Sequence, residues 1–223
     1  MHPLRPPRPD ESCLAEVGVD QLPKAFPSLE DTRRHLAGRG YRLHGVYNQC
    51  RARAAPPDTW PAAERAGASY YAVRQPPDLR WHVPSVEYDP QHSPALAAFV
   101  AHVDTVVTVH GYGREGLWAT LLVGGGSRPL ATRLGGALRT ALGDGFTVLD
   151  DLASIPRPLR GLHPRNPVNL PAGGGAQLEL PPRVRSGTGV PTFDPAYEQA
   201  VVAALVSVAL AQQAWPGGGS PTM

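Results

Sequence analysis

The stretch TVVTVHGYG, residues 105–113, decides the fold. Thr105 to Val109 is a run of β-branched residues with no charge in it, and the run breaks into His110-Gly111-Tyr112-Gly113. A continuous β-branched run is the pattern of a strand buried on both faces, and such strands belong to sheets covered by helices. The surroundings agree. Upstream, PALAAFVAHVD (94–104) reads as a helix with Pro94 in its first turn. Downstream, WATLLVGG (118–125) is a second buried strand. RPLATRLGGALRTAL (128–142) is a helix with Leu130, Leu134, Leu138 and Leu142 on one face, stopped by Gly143.

Further out, SYYAV (69–73), FTVLD (146–150) and the end of AGGGAQLEL (172–180) read as strands. DPAYEQAVVAALVSVALAQQ (194–213) is a long helix capped by Asp194, and SLEDTRRHLAGR (28–39) is a short one opened by Ser28. RARAAPPDTWPAA (51–63) reads as a loop from its prolines, and WHVPSVEYDP (81–90) as extended and irregular. Strand and helix alternate, so the expected class is α/β: a mixed, mostly parallel sheet sandwiched by helices. The expected organisation is a disordered or extended arm at 1–27, a single domain over 28–213 and a disordered tail at 214–223.

Composition narrows the function classes. With 223 residues, a formal charge of +2 and basic residues that are nearly all arginine, there is no nucleic-acid footprint, and no nucleic-acid partner is expected. Cys13 and Cys50 form no C-x-x-C pair and no disulfide framework. The opening MHPLRPPRPDES has no apolar segment of the secretory kind, and VVAALVSVALAQQAW (201–215) is short for a membrane span. No membrane association is expected, and a cytoplasmic location is.

Two residues stand where chemistry gathers. In α/β sheets, ligands bind at the carboxyl ends of strands. His110 ends one apolar run, and Glu179 sits between Leu178 and Leu180 near the end of another. A carboxylate in an apolar strand is costly unless it is paired, solvated or working. The two could act as metal ligand and general base. They could equally be a hydrogen-bonded turn histidine and a carboxylate paired with Arg183 or Arg185.

The order of the pieces adds to this. SVEYDP (85–90), VHG (109–111), HPRNPVN (163–169) and AQLEL (176–180) follow one another as in the poly-γ-glutamate hydrolase family of phages and bacteria, which this chain resembles over roughly residues 69–185. That family has been likened to zinc exopeptidases of the carboxypeptidase A type. The resemblance implies a zinc exopeptidase-like fold, a zinc ligand at His110, and a general base at Glu179 that activates water. It also implies a peptide or polyglutamate as substrate, with Asn166 and Asn169 of the loop as candidate substrate-binding residues; Arg165 is a third candidate, near but not at the position where the family has its arginine. Two departures accompany it. The family's early H-G-G-x-x-E motif, which supplies two more zinc ligands, has only LHGVYNQ (43–49) as a counterpart, with Val46 and Gln49 replacing Gly and Glu. Where the family has an arginine after its second asparagine, this chain has Leu170. His44 and His82 are the remaining candidate zinc ligands. The expected function is zinc-dependent cleavage of γ-glutamyl or related amide bonds with a degenerate metal site. The alternatives are a non-catalytic relative that binds a peptide or polyglutamate, and an interaction protein that uses its 194–213 helix.

Overall fold

The structure is a computed structural model that describes residues 15–17, 44–49, 60–74, 84–185 and 194–213. The elements in chain order are β1 (Ala15–Val17), β2 (His44–Gln49), α1 (Trp60–Ala66), β3 (Ser69–Arg74), α2 (Pro94–His102), β4 (Thr105–Gly111), β5 (Thr120–Gly124), α3 (Arg128–Leu142), β6 (Thr147–Leu149), β7 (Gly175–Leu180) and α4 (Pro195–Gln213). Short 3-10 turns fill several of the connections. The strands form one seven-stranded sheet in the order β1-β3-β2-β4-β7-β5-β6. β3–β2, β2–β4, β4–β7 and β5–β6 are parallel, while β1–β3 and β5–β7 are antiparallel. This is the mixed, mostly parallel sheet expected from the sequence.

The pleat sorts each strand onto two faces. Val109 on β4, Leu121 and Val123 on β5, and Ala176, Leu178 and Leu180 on β7 share one large core with α1, α3 and α4. The alternate residues face the other way. There Val106 joins Tyr71, Tyr88, Leu96, Phe99, Val103 and Val168 under α2, and Leu122 joins Tyr112 and Ile155. Between these two smaller clusters lies a polar strip of Thr108 and His110 on β4 with Gln177 and Glu179 on β7.

Local chemistry explains the boundaries. Ser93 accepts the backbone N–H of Leu96 at 3.2 Å and so caps α2, with Pro94 in the first turn where its missing N–H is not needed. Leu130, Ala131, Leu134, Gly135, Leu138 and Leu142 are the buried face of α3, and Gly143 ends it at φ 60°. Asp194 Oδ1 accepts the Ala196 N–H at 2.8 Å at the start of α4. The apolar face of α4, with Val201, Val202, Ala204, Leu205 and Val208, packs into the chain's own core.

Several expectations need correcting. The 51–63 segment is not all loop: α1 begins at Trp60 and buries Ala62, Ala63 and Ala66, because a proline in a helix's first turn starts a helix as readily as it breaks one. The segment read as extended contains a 3-10 turn at Ser85–Glu87. Ala15–Val17, in the arm expected to be disordered or extended, is extended and pairs antiparallel with β3. The short helix expected at 28–39 and the tail at 214–223 lie outside the described residues. No helix among the described residues is long and apolar enough to cross a membrane.

Candidate active-site cleft

β4 and β7 are parallel neighbours, and their register pairs His110 with Glu179 and Thr108 with Gln177. Residues paired in register point to the same face, so the imidazole and the carboxylate stand side by side at the carboxyl edge of the sheet. His110 is 5% exposed and Glu179 is 6% exposed. Both line a cleft of about 830 Å³, together with Tyr112, Asn166 and Gln177. The turn Arg157–Gly161 with His163 forms a wall, and Pro84–Val86 also lines the cleft.

The wall is tied to the sheet by hydrogen bonds that begin in the HPRNPVN loop. Asn166 is buried; its Oδ1 accepts the Val168 N–H at 3.2 Å and its Nδ2 donates to Gln177 Oε1 at 2.8 Å. Gln177 Nε2 in turn donates to Glu179 Oε1 at 2.9 Å. Asn169 is not among the residues that line the cleft. Its Nδ2 donates to the carbonyls of Gly161 at 2.8 Å and His163 at 2.9 Å, and its Oδ1 accepts the Gly126 N–H at 3.0 Å. It clamps the loop onto the end of β5. Arg165 is exposed, and its backbone N–H donates to His163 Nδ1 at 3.2 Å.

Two arginines follow β7. Arg183 lies over the Phe146 and Tyr197 rings, 5.0 and 5.6 Å from their centroids, and donates to the Gly145 carbonyl at 3.1 Å. Its charge is thus used on the helical face, away from Glu179. Arg185 is buried and donates to the carbonyls of Tyr112 at 2.7 Å and Pro181 at 3.3 Å. Its guanidinium lies directly on Gly111, where a Cβ would collide with it. Tyr112 donates its phenol to the Thr120 carbonyl at 2.5 Å. Burial, reinforced by the negative charge of Glu179, pushes the Tyr112 phenol far above its ordinary range, so it stays neutral.

Of the site residues read from the sequence, the fold brings together His110, Glu179 and Asn166. His44 opens β2 in register with Thr105, at the amino end of the sheet and far from the edge that carries His110. Gln49, the last residue of β2, follows the Asn48–Val109 pair. Its backbone therefore stands at the strand end beside His110. His82 lies outside the described residues. Among the described residues, no group of three or more His, Cys, Asp or Glu side chains could hold a metal ion. Sequence reasoning missed Gln177, Tyr112, Arg157 and Arg160 as cleft residues. Gln177 could have been found, since a residue two before Glu179 on a strand shares its face.

The family described as poly-gamma-glutamate hydrolase matches residues 60–188, which contain the whole of this cleft. The chain belongs to the poly-γ-glutamate hydrolase family. Among solved structures, a bacteriophage poly-gamma-glutamate hydrolase is similar in fold, with a TM-score of 0.54 and 21% identity over 75% of this chain and 85% of that one. A zinc-free form of YNDL is similar at a TM-score of 0.52 and 22% identity, over 73% of this chain and 82% of that one. No curated protein matches the chain. At these identities the structures speak for the fold of this poly-γ-glutamate hydrolase family member, and its chemistry has to be argued from its own residues.

Proposed function

We propose that this member of the poly-γ-glutamate hydrolase family hydrolyses γ-glutamyl or related amide bonds in the cleft, with Glu179 as the general base. The observation that carries the reading is Glu179 itself. A polyglutamate chain is anionic, and a site built only to bind it would lose affinity by placing a desolvated carboxylate in its floor. A carboxylate there makes sense when it takes a proton. Glu179 would remove a proton from a water as the water oxygen attacks the amide carbon. The C–N bond then breaks, and the departing amine receives that proton. Arg157, on the cleft wall, suits the carboxylates of such a substrate, whereas the Arg160 guanidinium is held by the Ile155 and Ala153 carbonyls.

The family's zinc is tested against the residues present. His110 and Glu179 are two donors, and a catalytic zinc usually has three protein ligands. Among the described residues that set is not complete. A second reading follows from β2. With Gln49 at the strand end beside His110, the chain would be a non-catalytic relative that binds a peptide or polyglutamate without cleaving it.

One experiment separates the two. A γ-glutamyl oligomer is incubated with the full chain, with and without added zinc. Cleavage is followed by mass spectrometry and binding by calorimetry. Cleavage supports the hydrolase reading. Binding with no cleavage under either condition sinks it in favour of the second.

A further inference from the structure

The polar strip behind Glu179 has a direction. The backbone N–H of Val168 can only donate, and it donates to Asn166 Oδ1 at 3.2 Å. That fixes the Asn166 amide, because Nδ2 is its other end, and Nδ2 donates to Gln177 Oε1 at 2.8 Å. Having accepted there, Gln177 has only its NH2 group left for Glu179, and Nε2 donates to Glu179 Oε1 at 2.9 Å. The same nitrogen lies 3.4 Å from the Leu159 carbonyl. One backbone N–H thus sets the polarity of two buried amides in succession, and the second of them donates to a buried carboxylate. Gly161, at φ 67°, closes over them, and a Cβ there would sit 2.7 Å from Gln177 Oε1. No other residue type fits that wall without moving the amide.

We propose that Gln177 is the positioning residue of this site: directed by Asn166, it holds the Glu179 carboxylate in one orientation at the floor of the cleft. The effect on turnover rests on the hydrolase reading, whereas the geometry stands without it. A glutamate side chain has three rotatable bonds, and displacing a catalytic group by about 1 Å can lower the rate about 100-fold. A buried donor whose own orientation is locked removes that freedom.

Asn166→Asp tests the direction of the relay. The new side chain has the same shape and still accepts the Val168 N–H, but its second oxygen accepts where the amide donated. Gln177 can then bond residue 166 only by turning its NH2 group away from Glu179 and facing it with an oxygen, and if it does not turn it meets the new oxygen with its own. Gln177→Met is the companion variant, keeping the length of the side chain and removing the donor. Two readouts are taken: the side-chain amide protons of Gln177 in 15N–1H NMR spectra, assigned by their loss in Gln177→Met, and steady-state kinetics on a γ-glutamyl oligomer. The wild type is expected to show a Gln177 amide proton slow to exchange and moved by Glu179→Gln. In Asn166→Asp that signature is lost, and kcat falls about 10–100-fold with KM within about twofold. If Asn166→Asp does not fold, the same kinetic split in Gln177→Met upholds the proposal and an unchanged kcat there overturns it. A Gln177 amide that exchanges freely in the wild type, or survives Asn166→Asp unchanged, also overturns it. If the wild type cleaves nothing, the hydrolase reading fails alone, and the amide spectra still decide the relay.

Discussion

His110 and Glu179 face each other across two parallel strands, one register pair from the carboxyl edge of the sheet. Both are buried, and each is placed by a strand whose opposite face is packed with leucine and valine. A variant that changes the chemistry of either while preserving its shape should therefore report on function, with little effect on the fold.

Glu179→Gln is the sharpest of these. The amide keeps the volume, and its oxygen can still accept from Gln177, but it takes no proton from water. Cleavage of a γ-glutamyl peptide should drop about 10²–10⁴-fold while the melting temperature moves little. Full activity in the variant would remove Glu179 from the mechanism.

Gly111→Ala tests the packing that flanks His110. A methyl group there strikes the guanidinium of Arg185, which is buried and bonded to the carbonyls of Tyr112 and Pro181. Overpacking of this kind typically costs about 1–3 kcal/mol. Urea denaturation should show the midpoint falling with an unchanged slope. A midpoint equal to that of the wild type would mean that Arg185 does not rest on Gly111.

Tyr112 sets a pH dependence. Its phenol is raised in the folded state by burial first and by the charge of Glu179 second. Its contribution is fully present below the unfolded value of about 10 and is lost as pH rises above it, because the unfolded chain ionises first. Stability should fall above about pH 10 by up to about 1.4 kcal/mol per pH unit from this group alone. Tyr112→Phe loses the bond to Thr120 and should be less stable at pH 7. The gap between the two proteins should then close as the pH is raised from 9.5 to 10.5. Parallel denaturation curves across that range would contradict this.

Asn169→Ala distinguishes a clamp from a substrate contact. The side chain holds Gly161, His163 and Gly126 through their backbones, and leaving such groups unpaired costs about 1–3 kcal/mol each where they are buried. Thermal stability should fall, and amide exchange should quicken in the 161–169 loop. A rise in KM with unchanged stability would instead assign Asn169 to the substrate.

The sheet's central strands and the 128–142 helix were legible in the sequence because they are buried: an uninterrupted Thr105–Val109 run and a leucine at every fourth position have few other solutions. His110 and Glu179 were legible for a related reason, since a polar residue inside such a run needs explaining. The parts missed lie where local signals conflict. Pro61 reads as a breaker or a helix start with equal ease, and only the burial of Ala62, Ala63 and Ala66 decides between them. His44 sits beside a glycine, like a ligand in a turn, yet the β2 register places it at the amino end. The Asn166–Gln177 bond joins a loop to a strand, and nothing local announces such a pair.

β7 is inserted between β4 and β5 in the sheet, although β5, α3 and β6 all come before it in the chain. His110 and Glu179 are therefore partners separated by about seventy residues. Closing so long a loop precedes any reward from the pairing, which makes this a contact of high sequence separation and a slow one to form. The cleft cannot exist in a chain that has folded only up to β6. Ribosome-bound or truncated chains ending before residue 175 would carry the β5–β6 pair but lack Gln177 and Glu179, so the floor of the cleft is completed only once β7 takes its place between β4 and β5.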